Sequence, residues 1–471
     1  MSPADLCALG LAELARQIES RSVSSSETTE AALALLDRLN GKLNAFITVA
    51  HDLARSAARQ ADEELARGVY RGPLHGVPVS VKDLFFTAGL VTTGGSKILA
   101  DWVPEEDSAL IERLKAAGAV ILGKTNLDEF GHGGTSTVSH FGPVHNPWNP
   151  ERIAGGSSGG ATAAVAAGIG PLAYGTETGS SVRRPSAYCG ISGFKPTFGL
   201  VSRYGSFRGA WSMDHVGVFA RSVEDVAMGL DAVAGYDPRD PASVRQSETS
   251  YARRLEPQVR GVKIGVLRRF LEEGVDAAVL SAFEAAIQTL KAAGAQVVDI
   301  DIPELTYAAR ASMLTSAAES GAANLRWMRE RPDDYQLDIK RRLAGGLSIT
   351  ASEYLTVQRA RYRIREALGA TFEKIDLLAN PTTNRVAPLV SLGARGNGDQ
   401  TFKPGYTHSS LLRYPSMLGP PGCSIPCGAN EEGLPIGMQL VGRWFEDQRV
   451  LNVAFAYQRA TNWNLRKPLL D

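Results

Sequence analysis

Two glycine-framed serine clusters and one lysine carry the reactive side chains of this sequence. The clusters are GGSSGG at 155–160 and GTETGSSVRRP at 175–185, and the lysine is Lys82 in VPVSVKDLF. A serine hydroxyl becomes a useful nucleophile only when a neighbouring base takes its proton. Histidine is the common base, but a lysine serves when burial depresses its pKa, because desolvation penalises the charged form. Lys82 directly follows an apolar, strand-like run, a place that disfavours an ordinary lysine. Other readings of GGSSGG fit less well. A flexible linker joins separate units, whereas this stretch leads straight into the helix-forming ATAAVAAG. A Walker-type phosphate loop needs Lys and Ser/Thr after its last glycine, and Gly160 is followed by Ala161 and Thr162. Gly155 to Gly159 satisfies the G-x-S-x-G elbow of α/β-hydrolases. That fold also needs a downstream acid and then a histidine, and only His215 and His408 follow.

These residues must be held by a scaffold, and the pattern around them is an alternating one. Residues 1–66 read as helical, VPVSV as a short strand, and SALIERLKAAGAVILGKTN as a helix stopped at Gly118 with a strand behind it. FEAAIQTLKAAGAQVVDIDIP repeats that junction at Gly294, and strand signals return at DLLANPT and GCSIPCG. The expected fold is therefore α/β: a large mixed, mostly parallel central sheet covered by helices on both faces. One domain, 1–471, is expected, with an N-terminal helical region 1–66, a core at 67–240, a variable region 241–410 and a return to the core at 411–471. Residues 305–372 read as a helical insertion over the active-site side. The polar, Gly-rich stretch 390–410 reads as a long loop, of the kind that is often functional.

Composition narrows the function. The 471 residues carry 50 basic and 50 acidic side chains and are 44% hydrophobic, a profile of an ordinary soluble protein without the basic excess of nucleic-acid or membrane binders. The N-terminus lacks the pattern of a signal peptide, and no run of about 18 apolar residues occurs. Cys7, Cys189, Cys423 and Cys427 are too few and scattered for a disulfide framework, so a reducing cytoplasm is the expected compartment. His132, His140 and His145 match no zinc motif, and no metal or other cofactor is expected.

The set Lys82, GGSSGG and GTETGSSVRRP resembles the amidase signature family, whose triad is Ser-cisSer-Lys. The spacings agree, with 75 residues from Lys82 to Ser157 and 24 from Ser157 to Ser181. AGAVILGKTNLDEFGHGG, NPWNPERIAGGSSGG, CGISGFKPTFGLVSRYG and GLPIGMQLVGRWFEDQRVLNVAFAYQ also look like family segments. The resemblance implies Ser181 as nucleophile, Ser157 as a bridging serine held through a cis peptide, and Lys82 as base. It further implies an oxyanion hole from the backbone N–H groups of Thr178, Gly179, Ser180 and Ser181. Many members have glycine where Ser180 stands, so a side chain enters beside the nucleophile. Arg183 and Glu177 would order the loop, and Trp211, Ser180 and Gly133 would line the substrate pocket. The implied reaction is cleavage of a C–N bond through a serine acyl-enzyme. Trp211, Met213 and His215 in FRGAWSMDHVG suggest a bulky, weakly polar substrate. The expectation is thus a stand-alone hydrolase of a small carboxamide, anilide or carbamate (urethanase or aryl acylamidase type). No nucleic-acid or membrane partner is expected, and a homodimer is the default oligomer. The alternative is the A subunit of a glutamyl-tRNA amidotransferase, which hydrolyses glutamine inside a complex.

Overall fold

A computed structural model describes residues 1–207, 209–246, 250–393 and 407–470. Helices Pro3–Ala8, Leu11–Glu19, Ser25–Leu43 and His51–Ala66 build the N-terminal region. Ser24 and Glu27 close a reciprocal cap at the start of the third, and Asn44, left-handed at φ 49°, ends it. The chain then forms a strand, Phe46–Val49, that the helical reading of 1–66 does not contain.

The two LKAAGA junctions are both crossovers of βαβ units. Pro78–Lys82 runs through helix Ala109–Ala116 to the parallel strand Val120–Thr125, and Lys263–Val266 runs through Ala277–Ala292 to Gln296–Asp299. In each, a glycine with positive φ, Gly118 at 78° and Gly294 at 104°, turns the chain from helix to strand. An eleven-stranded sheet results. In spatial order its strands are Phe46–Val49, Val120–Thr125, Pro78–Lys82, Leu172–Glu177, His215–Ala220, Ser192–Lys195, Gly422–Ala429, Pro435–Gly442, Leu377–Pro381, Lys263–Val266 and Gln296–Asp299.

The sheet is mixed, but parallel pairing is the minority. Four of ten neighbour pairings are parallel, all within the two flanks. The other six are antiparallel and make up the centre and one edge. The centre departs from the mostly parallel expectation for a local reason. Gly422–Ala429 and Pro435–Gly442 are joined by a short turn, which only an antiparallel pair accepts. Both of these strands are almost wholly buried.

Residues 305–372 form helices, chiefly Ala308–Ala323, Leu337–Leu347 and Ala351–Phe372. The Gln336 amide donates to Glu129 Oε2 at 2.8 Å, and Ser212 Oγ donates to Glu319 Oε1 at 2.6 Å, so these helices sit on the loops that carry residues 129–132 and 209–214. Of the stretch 390–410, Val390–Gly393 is a helical turn and His408–Leu418 a helix, while 394–406 lies outside the described residues. No described helix is long and apolar enough to cross a membrane.

Candidate active site

Lys82 ends the strand Pro78–Lys82, every residue of which is buried. Its Nζ lies 2.8 Å from Ser157 Oγ, 3.0 Å from Ser158 Oγ and 2.8 Å from Thr176 Oγ1. Ser157 Oγ in turn lies 3.0 Å from Ser181 Oγ, so lysine, bridging serine and second serine form one continuous hydrogen-bonded line. The Gly156–Ser157 peptide is cis. Glycine is required at 156 because a Cβ there would stand 2.4 Å from Asp128 Oδ2 and 2.6 Å from the Ser136 amide. Burial pulls the Lys82 pKa down to about 7, with Asp128, Asp214 and Glu177 opposing the shift. A lysine in that range is neutral often enough near neutral pH to accept a proton.

The loop 178–181 is held at both ends by buried carboxylates. Glu177 accepts from the Val182 amide at 2.9 Å, the Arg183 amide at 3.1 Å, Arg183 Nη2 at 2.7 Å and Ser416 Oγ at 2.6 Å. Asp214 accepts from the Gly209 and Ala210 amides at 2.8 and 2.9 Å, and from the Thr178 hydroxyl. Burial raises the Asp214 pKa and those hydrogen bonds counter it. The amides of Thr178, Gly179, Ser180 and Ser181 donate to no side chain or loop carbonyl among the described residues. They are therefore free to stabilise charge on a carbonyl oxygen beside Ser181.

Other residues singled out in the sequence fall differently. Trp211 is 60% exposed and is not among the residues around the small cavity beside Thr176 and Thr178. Its turn is shaped instead by Asp214 and by Arg203, which donates to the Trp211 carbonyl. Gly133 answers a packing need: a Cβ would sit 2.1 Å from the Asp128 carboxyl carbon. Ser180 is buried beside Ser181, and its carbonyl accepts from the Arg184 amide at 2.9 Å. His140 is exposed, and the His145 ring binds the Pro150 carbonyl. No group of three or more His, Cys, Asp or Glu suited to a metal occurs among the described residues. His215 and His408 are buried on the carbonyls of Met213 and Pro381.

Thr176, Ser158, Asp128 and Asp214 belong to the site and were not singled out in the sequence. Thr176 and Ser158 lie inside the two glycine-serine motifs, so the motifs themselves held the signal. Asp128 and Asp214 lie in the segments AGAVILGKTNLDEFGHGG and FRGAWSMDHVG, but their approach to the lysine depends on tertiary packing, which the segments do not show.

The Amidase family model matches residues 27–451. The chain belongs to the amidase family. It is accordingly a hydrolase of the class that acts on carbon–nitrogen bonds. The A subunit of a glutamyl-tRNA(Gln) amidotransferase from Thermosynechococcus vestitus is 39% identical, covering 97% of this chain and 99% of its own. The solved A subunit from Thermotoga maritima superposes with TM-score 0.80 at 29% identity, covering all of this chain and 97% of its own. A chain from a vestigial protein complex bearing on the origins of an s-triazine catabolic enzyme superposes with TM-score 0.89 at 35% identity, covering 96% of this chain and 98% of its own. The near full-length identity to amidotransferase subunits corrects two expectations. A stand-alone hydrolase of small amides, anilides or carbamates is not what these relatives support, nor is action without partner subunits or nucleic acid. The bulky residues of FRGAWSMDHVG misled because Trp211 faces largely outward and Met213 is core.

Proposed function

We propose that this chain is the glutamine-hydrolysing A subunit of a glutamyl-tRNA(Gln) amidotransferase, working with partner subunits that use the ammonia it releases. The observation that carries this reading is 39% identity to one such protein over 97% of the chain. In the proposed mechanism Ser181 attacks the side-chain amide carbon of glutamine. Ser157 accepts the Ser181 proton as neutral Lys82 accepts that of Ser157. The amides of Thr178, Gly179, Ser180 and Ser181 hold the developing oxyanion; loss of one such donor costs about a hundredfold or more. The relay then runs in reverse, protonating the leaving nitrogen so that ammonia departs and a glutamyl ester remains on Ser181. Water, deprotonated through the same relay, cleaves that ester to glutamate.

The test is ammonia release from glutamine by the chain alone and with its partner subunits and glutamyl-tRNA(Gln), with Ser181→Ala as blank. The expected result is glutamine hydrolysis and formation of glutaminyl-tRNA(Gln) by the complete system, both lost in the variant. Glutaminyl-tRNA formation from glutamine by the Ser181→Ala complex, or none by the unaltered complex, overturns the reading.

A further inference from the structure

Helix His408–Leu418 packs against the oxyanion loop and brings one unmatched cation with it. Arg413 lies between buried Leu412 and Tyr414, and its Nε is buried without a hydrogen-bond partner. Among the described residues its guanidinium makes no hydrogen bond and no ion pair. It stands directly beside the loop: a Cβ on Gly179 would fall 2.9 Å from Arg413 Nη1. Burial lowers its pKa to about 9, and the charges of Arg184 and Arg342 push in the same direction, with no acid opposing them. Those two arginines each donate to a backbone carbonyl near the site, Arg184 to Gly134 at 3.3 Å and Arg342 to His132 at 3.1 Å, and neither has a carboxylate partner among the described residues.

A desolvated cation without a counter-charge is costly, and proteins normally pair it. Arg413, half-buried with an unpartnered Nε, and its two neighbouring cations, half-buried Arg184 and exposed Arg342, mark a place where the missing anion arrives from outside. Arginine suits that task better than lysine, because it stays charged at neutral pH even when burial lowers its pKa to about 9, and its planar fork matches a carboxylate. We propose that Arg413, reinforced by Arg184 and Arg342, binds a carboxylate of the substrate, so that the acyl group transferred to Ser181 bears an acid. Naming that acid as the α-carboxylate of glutamine rests on the function proposed above. In an extended chain it would lie about 5 Å from the scissile carbon, four C–C bonds away.

The experiment is protection of Ser181 from a neutral reagent. The full chain, with its partner subunits, is inactivated by phenylmethylsulfonyl fluoride in the presence of glutarate, L-glutamate or the uncharged butyramide. Protection is expressed against each protein's own unprotected rate. For the unaltered chain, glutarate and glutamate should protect. In Arg413→Gln the concentration giving half protection by either should rise about 10- to 100-fold, the loss of a charged hydrogen bond. Butyramide should shift far less, and Arg413→Lys should recover part of the carboxylate protection. Equal glutarate protection in the unaltered chain and Arg413→Gln overturns the proposal. So does an equal shift for butyramide and glutarate, or absence of protection by both carboxylates. Protection by glutarate but not glutamate keeps the carboxylate site and defeats the glutamine reading. Glutamate protection that ignores Arg413 does the reverse.

Discussion

Lys82 does its proposed work because it is fully enclosed. Its three oxygen partners, Ser157, Ser158 and Thr176, are all hydroxyls, which hydrogen-bond to an amine in either protonation state. A carboxylate in their place would keep the lysine charged. The consequence is a pH profile whose direction is fixed. The active form is the neutral amine, so below a pKa of about 7 the protonated lysine cannot accept the Ser157 proton. The value of kcat/KM for glutamine should therefore rise about tenfold per pH unit below that point and level off above it. A limb falling with pH across that range would exclude Lys82 as the base. Lys82→Ala should lower kcat as severely as Ser181→Ala, and the double variant should be little worse than either, because a relay acts as a unit. Steady-state kinetics of the three variants settles it. The lysine was legible in the sequence as a charge terminating an apolar strand. Thr176 lay in a legible motif, but its contact with Lys82 was not legible, because that depends on the side-by-side pairing of Pro78–Lys82 with Leu172–Glu177, a long-range register.

At the scale of elements, the glycines of GGSSGG exist for packing between helix and strand ends as much as for chemistry. Gly160 lies in the first turn of helix Gly159–Ala166, and a Cβ there would meet the Ala45 carbonyl at 2.3 Å and the Asn126 amide at 2.6 Å. Both are backbone atoms and cannot swing away. Gly160→Ala should therefore destabilise the fold by about 1–3 kcal/mol or more, the usual penalty of overpacking. Gly369 sits in helix Ala351–Phe372 with nothing within 4 Å of the place an added methyl would take, and Gly369→Ala should stabilise by up to about 1 kcal/mol. Urea midpoints of the two variants should move in opposite directions; a Gly160→Ala midpoint at or above that of the unaltered chain would refute the close approach at 160, and a lowered Gly369→Ala midpoint would refute the open space at 369. The sequence yielded the helix-Gly-strand crossovers because hydrophobic period and a stop glycine are local signals. The antiparallel centre was hidden, since the partners of His215–Ala220 and Gly422–Ala429 are chosen by tertiary packing and both strands are apolar on both faces. The strand Phe46–Val49 was hidden by its shortness between two strong helices.

At the scale of the whole molecule, one buried ion pair joins parts of the chain that are far apart in sequence. Arg183 reaches Glu177 with Nε at 3.0 Å and Nη2 at 2.7 Å, the Leu412 carbonyl with Nη2 at 2.8 Å, and Gln439 with Nη1. It thereby ties the loop after strand Leu172–Glu177 to helix His408–Leu418, which carries Arg413, and to strand Pro435–Gly442. Both side chains of the pair are inaccessible to solvent. Glu177→Gln keeps the shape but leaves Arg183 charged and uncompensated, so it should cost about 3–5 kcal/mol. The exposed pair Arg16–Glu13, whose side chains are 64% and 40% accessible, is the contrast: Glu13→Gln should leave the denaturation midpoint essentially where it is. The two effects also separate in catalysis. Glu177 fixes the amides of Val182 and Arg183 immediately after the nucleophile, so in Glu177→Gln kcat should fall together with the denaturation midpoint. Glu13→Gln should leave kcat unchanged. A Glu177→Gln protein that melts at the unaltered midpoint and keeps full turnover would mean that the loop and the helix bearing Arg413 are held by packing alone.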